Sequence, residues 1–190
     1  MNRGGPDQLW PQGAEGETRV VYLGLGANLG DRTRAIRAGI EALGKLGVRP
    51  VALSSIYESP AKYISDQPDF FNCVGRFETT LSPEELLETC QEVERRLGRQ
   101  DRERFGPREI DIDILIYEGE CLAVEELSIP HPSIAERLFV LKPLAQIAPD
   151  LEVPGRGAVT DLLRRAERSL PQEEYVTKIG ELPLDQGGAV

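Results

Sequence analysis

The stretch Arg108-Glu109-Ile110-Asp111-Ile112-Asp113-Ile114-Leu115-Ile116 constrains this chain more than any other. Isoleucine at every second position has the period of a β-strand, whose side chains alternate between faces. Ile110, Ile112, Ile114 and Ile116 are expected together on one face, against a core. Asp111 and Asp113 then share the opposite face, about 6.5 Å apart at Cα from a rise of roughly 3.3 Å per residue. The strand is expected over 109–117. Glu118-Gly119-Glu120 supplies a hairpin turn, and 122–129 a returning strand.

The other elements follow from the same rules. Val20-Val21-Tyr22-Leu23-Gly24-Leu25-Gly26 is apolar and β-rich, and reads as a buried strand. Asn28-Leu29-Gly30-Asp31 is a turn. Asp31 caps a helix in which Ala35, Ile36, Ile40, Leu43 and Leu46 recur at helical spacing, until Gly47 stops it. A second strand is expected over 48–57, a long loop with Pro60 and Pro68 over 58–69, and a third strand over 70–78. Ser82-Pro83-Glu84-Glu85 holds a capping box with proline in the first helical position. That helix turns Leu86, Leu87, Cys90, Val93 and Leu97 inward and ends at Gly98. A polar loop over 99–108 leads to the alternating strand. Short helical turns over 133–144, a helix over 160–169 and a short strand over 175–179 complete the reading.

The order β-α-β-β-α-β predicts an α+β, ferredoxin-like antiparallel sheet with helices packed on one face and a C-terminal supplement. Residues 1–18, rich in glycine, proline and polar side chains, are expected to form a flexible N-terminal extension, with Trp10 its docking point. The domain is expected over 19–170 and a C-terminal tail over 171–190.

Charge and cysteine content narrow the function classes. The 22 basic and 32 acidic residues leave a net charge of -10, which argues against non-specific binding to nucleic acid or anionic membranes. No apolar run reaches the roughly 20 residues of a membrane helix. Residues 1–17 lack the apolar core of a secretory signal. A cytoplasmic protein is expected, without nucleic-acid or membrane partners, as a monomer or weak homodimer. Cys73, Cys90 and Cys121 are scattered and form no CxxC pair, which argues against a disulfide framework or a zinc site. They read as small buried residues or bystanders. The lone histidine, His131, removes most histidine-based metal and Ser-His-Asp chemistry.

Two carboxylates side by side on a strand repel unless a proton or cation intervenes. In a cleft this spacing suits hard cations, and Mg²⁺ is the common one with phosphates. An isolated Asp-x-Asp also describes the solvated face of an ordinary amphipathic strand. Arg99, Arg102, Arg104 and Arg108 shift the balance. They gather just before the strand in an acidic chain, and point to a polyphosphate held by arginine and metal together. The glycines at 24, 26 and 30 lack the register of a dinucleotide or P-loop motif, so they read as permitting close approach at a strand end and turn. Phe70 and Phe71 face opposite ways, one toward core and the other toward a pocket. With Phe139 they could sandwich a flat heterocycle, or all could be ordinary core. His131, between two prolines, is held in extended backbone; it could donate to a phosphate or be a satisfied histidine. From the residues alone the reading stops at a Mg²⁺-dependent polyphosphate enzyme. A non-catalytic ferredoxin-like sensing module and another phosphoryl or nucleotidyl transferase are its rivals.

Five segments taken together carry a sharper reading. They are Leu25-Gly26-Ala27-Asn28-Leu29-Gly30, Ser54-Ser55-Ile56-Tyr57-Glu58-Ser59-Pro60, Gln67-Pro68-Asp69-Phe70-Phe71-Asn72, Gly106-Pro107-Arg108-Glu109-Ile110-Asp111-Ile112-Asp113-Ile114 and Ile129-Pro130-His131-Pro132. In order and spacing they resemble the 6-hydroxymethyl-7,8-dihydropterin pyrophosphokinase family of folate biosynthesis. The resemblance implies a ferredoxin-like fold and transfer of the terminal pyrophosphoryl group of ATP to the pterin hydroxymethyl group, with AMP leaving. It implies two Mg²⁺ ions held with ATP by Asp111 and Asp113, with Arg99 and Arg108 beside them as catalytic cations. Gln91, Glu94, Arg99, Arg108, His131 and Arg137 match positions facing ATP, and Ile114 and Ser128 positions near its adenine. Phe70 and Phe139 match the aromatics that sandwich the pterin. Asn72 matches a reader of its edge, and Ser59 and Pro60 a loop beside it. Phe105 stands where a Trp is common, Phe70 where a Tyr is familiar and Glu126 where an Arg can occur. The loop over 99–104 is shorter than in the family.

Overall fold

The computed structural model describes residues 16–62, 66–100, 106–169 and 175–183. Trp10, Arg102, Arg104 and Phe105 lie outside these residues, as do most of the expected N-terminal extension and the end of the tail. Strand β1 (Arg19–Ala27) leads into α1 (Arg32–Lys45), which Asp31 caps by accepting the Arg34 N–H at 3.0 Å. Strands β2 (Arg49–Leu53) and β3 (Ile56–Ser59) precede β4 (Phe70–Thr79). Helix α2 (Pro83–Arg96) starts at the complete Ser82–Glu85 capping box. Strand β5 (Asp111–Tyr117) follows, then the short β6 (Leu122–Ala123) and β7 (Ser128–Ile129). After a 3₁₀ turn at Ile134–Glu136 come α3 (Leu138–Ile147), β8 (Glu152–Val153), β9 (Gly157–Ala158), α4 (Val159–Ser169) and β10 (Thr177–Gly180).

The main sheet runs β10-β3-β4-β1-β5, with β2 also on β4, and its pairings are antiparallel. One face carries Leu23 and Leu25 of β1, Phe77 of β4 and Ile112 and Ile114 of β5, packed beneath Ile36 and Leu43 of α1 and Leu86 and Val93 of α2. This is the ferredoxin-like layer the element order predicts. The C-terminal supplement closes the other face. Leu138, Leu141 and Leu144 of α3 and Leu162 of α4 bury Tyr22, Val74, Leu115 and Ile116 there.

Four local expectations are corrected. The strand expected over 48–57 is two strands. Ser54 Oγ accepts the Val74 N–H at 2.9 Å and donates to the Ser55 C=O at 2.8 Å, so the two serines break the ladder between β2 and β3. Ile116 does not share a face with Ile110, Ile112 and Ile114. Tyr22 pairs with Ile116 but Leu23 with Ile114, so Leu115 is an extra residue and the following side chain changes sides. The returning strand over 122–129 is a separate β6–β7 hairpin, broken by exposed Glu125 and Glu126. The Leu115 C=O on the edge of β5 instead accepts the His131 N–H at 2.9 Å. Helix content after residue 133 also exceeds the short turns expected, since α3 is a ten-residue helix. Cys73 and Cys90 are buried free thiols, pushed up to about 12 by burial, and Cys121 is free and exposed.

Candidate active site

Register places the cleft. On β1 Gly24 pairs with Val74 on one side and Asp113 on the other, and Gly26 with Asn72 and Asp111. Two glycines side by side on a strand leave the sheet without side chains at its middle, and a cleft of about 570 Å³ opens over them. The space at Gly26 is in use. A Cβ there would lie 3.1 Å from Asn72 Oδ1 and 3.7 Å from the Phe70 ring. The glycines of this motif therefore serve the strand floor.

One wall is ionic. Asp111 Oδ1 lies 2.7 Å from Arg108 Nη1 and 2.8 Å from Arg99 Nη1, and Asp113 Oδ2 lies 3.0 Å from Arg137 Nη1. Burial raises the Asp111 pKa against the pull of Arg99 and Arg137. Burial, reinforced by the Asp111 charge, pushes the Asp113 carboxyl up to about 6, with Arg137 opposing. About a third of each carboxylate side chain still opens to the cleft. The pair is thus held by arginines, stripped of most of its water, and open on one side to an incoming cation. Among the described residues no group of three or more His, Cys, Asp or Glu forms a metal cage. Two hard oxygen donors and open space fit Mg²⁺, which is usually bound by one or two carboxylates plus phosphates and water.

Glu94, on α2, is almost fully buried. It accepts the Ile112 N–H at 2.7 Å and pairs with Arg99. Burial pushes its carboxyl up to about 7, against the pull of Arg99. It anchors edge strand β5 and aims Arg99 at Asp111. His131 is not among the residues lining the cleft, but its Nε2 lies 3.9 Å from Asp113 Oδ2. Burial and the neighbouring Arg137 lower its pKa to about 4, so the ring is neutral at pH 7. The Ser133 N–H reaches His131 Nδ1 at 3.1 Å, which assigns the ring proton to Nε2, facing the carboxylates. A long-range ¹H–¹⁵N spectrum at pH 7 is expected to show one imidazole, in the Nε2–H form. An Nδ1–H form would break this assignment.

The opposite wall is aromatic. Phe70 and Phe139 both line the cleft, with Ser59 and Pro60 beside them. Asn72 Nδ2 donates to Ser59 Oγ at 3.0 Å, which fixes the amide next to Gly26. Phe71 points to the other face, where the Arg32 guanidinium sits 3.4 Å above its ring. The Arg137 guanidinium lies 5.6 Å from the centre of the Phe139 ring.

Gln91, Glu94, Arg99 and Arg108 line the ionic side with the two aspartates. Ile114 does not line the cleft. It is 5% exposed in the core beneath α2, and Ile112 forms the wall at that level. Ser128 lies in the β6–β7 hairpin, also outside the lining. Lys62 and Arg95 line the cleft without having been singled out in the sequence. Arg95 stands one helical turn from Gln91, a spacing that marks a shared helix face. Lys62, in the long loop, has no such signal.

An α+β fold of this topology, with paired aspartates among arginines and two phenylalanines lining one cleft, defines a ferredoxin-like protein with an ionic and an aromatic side to its cleft. The sequence model of the 7,8-dihydro-6-hydroxymethylpterin-pyrophosphokinase family matches residues 22–149, and the chain belongs to that family. A 2-amino-4-hydroxy-6-hydroxymethyldihydropteridine pyrophosphokinase of Methylorubrum extorquens is 46% identical over 136 residues, which are 71% of this chain and 86% of the relative. The Bacillus subtilis protein of the same name is 41% identical over 143 residues, 75% of this chain and 86% of the relative. A folic acid synthesis protein of Pneumocystis carinii is 43% identical over 141 residues, but there the match spans only 19% of the relative. The fold is shared with a Plasmodium falciparum HPPK-DHPS structure, at a TM-score of 0.64 and 16% identity, over 80% of this chain and 42% of that one. No described helix is long and apolar enough to cross a membrane.

Proposed function

We propose that this protein transfers the β,γ-pyrophosphoryl group of ATP to the hydroxymethyl oxygen of 6-hydroxymethyl-7,8-dihydropterin, releasing AMP, as a step of folate biosynthesis in the cytoplasm. Membership of the family supports the reaction. The observation that carries it to this cleft is the meeting of two halves: Asp111 and Asp113 among three arginines on one wall, Phe70 and Phe139 on the other.

The reaction joins the hydroxymethyl oxygen to the β-phosphorus, breaks the bond from that phosphorus to the α–β bridging oxygen, which leaves with AMP, and releases the hydroxyl proton to solvent. A triphosphate repels its attacker, so positive charge must surround it. Asp111 and Asp113 would hold two Mg²⁺ ions. Their chemistry, when bound, would be to neutralise charge on the phosphate oxygens. Arg99, Arg108 and Arg137, now paired to the aspartates, supply planar donors suited to phosphate oxygens. His131 Nε2–H adds a neutral donor where charge builds on the leaving group. Phe70 and Phe139 fix the ring plane of the pterin, and Asn72 Oδ1 offers its edge an acceptor.

The test is one incubation with ATP, Mg²⁺ and the dihydropterin, read by nucleotide chromatography. AMP is expected, and only with both Mg²⁺ and pterin present. ADP would mean phosphoryl transfer and pyrophosphate nucleotidyl transfer; either product overturns the proposal.

A further inference from the structure

Asn28 lies one residue past β1 and is 2% exposed. Its amide serves two segments that are distant in sequence. Oδ1 accepts the Arg108 N–H at 2.7 Å. Nδ2 donates to the Pro68 C=O at 3.1 Å and to Gln67 Oε1 at 3.2 Å. The Asn28 and Leu29 N–H groups complete the tie on the Arg108 C=O, at 3.0 and 3.3 Å. On one side the tie ends at the arginine that grips Asp111, 2.7 Å away. On the other it ends two residues before Phe70.

We propose that Asn28 is a positioning residue that sets the arginine segment and the aromatic segment in register with each other. The acceptor hydroxyl and the triphosphate then meet at attack distance. The inference rests on the pyrophosphoryl-transfer reading. The chemistry required is narrow: one acceptor and two donors on a short planar group. Asp retains the acceptor alone, and Ala has neither. Other braces hold the aromatic segment. Arg32 Nη1 donates to the Asp69 C=O at 2.7 Å, and the Tyr175 hydroxyl donates to Asp69 Oδ2 at 2.5 Å. Their contacts are on the aromatic side, so Arg32→Ala is a control that leaves the Arg108 arm in place.

The experiment pairs steady-state kinetics of AMP formation with hydrogen–deuterium exchange on the same full-length proteins. Asn28→Asp keeps the arm to Arg108 and sets a carboxylate against the Pro68 C=O. It is expected to raise the dihydropterin KM about tenfold and leave the ATP KM within about twofold, since a lost or mismatched buried hydrogen bond acts on its own partner. Deuterium uptake is expected to rise at 69–71 and to hold at 106–110. Asn28→Ala frees both arms and is expected to lower kcat by about 100-fold, the scale of a misplacement near 1 Å at the reacting atoms. Uptake then rises in both segments. Arg32→Ala is expected to follow the pterin KM pattern without that loss of kcat.

Both Asn28 variants keeping wild-type kcat and KM values, even at a lower Tm, would reduce Asn28 to a structural role and overturn the proposal. So would a uniform rise in deuterium uptake. If Asn28→Ala does not fold, Asn28→Asp and Gln67→Ala decide the matter, and Gln67→Ala is expected to raise the dihydropterin KM about threefold through loss of one partner. A wild-type protein that forms no AMP defeats the transfer reading, while the exchange pattern still accepts or rejects the tie.

Discussion

Asp113→Ala is expected to lower AMP formation by about 10³-fold or more while the protein remains folded, the scale seen when a group stabilising developing charge is removed from a preorganised site. The argument starts from the strand. Asp113 belongs to β5 by its backbone, and its pairing with Gly24 does not involve the carboxylate. Arg137 Nη1, 3.0 Å away, is its closest described ionic partner, and both side chains face the cleft. Asp111, a single carboxylate already facing Arg99 and Arg108, leaves only one of the two acidic groups in place. The variant therefore loses half of the acidic pair and keeps the sheet.

Stability gives a second readout with a definite sign. Burial pushes the Asp113 pKa up to about 6, above the ordinary value of 3.8. A carboxyl raised in the folded state contributes stability below its unfolded pKa and loses it as pH rises through the folded one. At pH 7 the ionised group is a burden, one that an active site accepts in exchange for function. In chelator-treated protein the Tm of Asp113→Ala at pH 7 is expected to equal or exceed that of the wild type, and the difference to shrink by pH 5. Near-normal AMP formation with Mg²⁺ and dihydropterin would remove Asp113 from the machinery. Loss of the circular-dichroism signal would make it a structural residue.

The acidic pair was legible because β-strand alternation is strict and local: Ile110, Ile112 and Ile114 at every second position put Asp111 and Asp113 on the other face whatever else the fold does. The same rule failed two residues later. A bulge at Leu115 inserts one residue and sends Ile116 to the other face, and the apolar run Ile114-Leu115-Ile116 gives no sign of it. Ser54 hid in the same way. Its hydroxyl bonds to Val74, a residue twenty positions on, and splits a strand that propensity reads as continuous. The capping box at Ser82 and Glu85 shows the converse, since all its partners lie within three residues. Site residues divide along the same line. Phe70 and Phe71 were assigned opposite faces by alternation. The role of Gly26 is fixed by Asn72 across the ladder, and that of Asn28 by partners forty and eighty residues away. Alternation also turns the Ile114 side chain into the core, while Ile112 meets the cleft.

Phe139→Ala is expected to weaken dihydropterin binding about 30-fold and ATP-analogue binding by less than about threefold, from lost ring contact and lost apolar burial together. Phe139 occupies the first turn of α3, whose Leu138 and Leu141 are buried in the second core. The helix keeps those anchors when the ring is removed. The cleft loses one of its two lining rings, and under the proposed reading Phe70 alone is left to stack on the pterin. In the proposed reaction ATP is held elsewhere, by the arginines whose present partners are Asp111 and Asp113. One link between the walls needs a control, because the Arg137 guanidinium lies 5.6 Å from the centre of the Phe139 ring. Phe139→Tyr keeps the plane and is expected to bind both ligands within about threefold of wild type, since the face that stacks is retained. Calorimetric titration of each variant with a non-hydrolysable ATP analogue and with the dihydropterin separates the outcomes. Equal losses for both ligands would mean that the ring serves to seat Arg137. Unchanged pterin affinity in Phe139→Ala would place the heterocycle away from this wall, and with it the hydroxymethyl oxygen that must face the triphosphate.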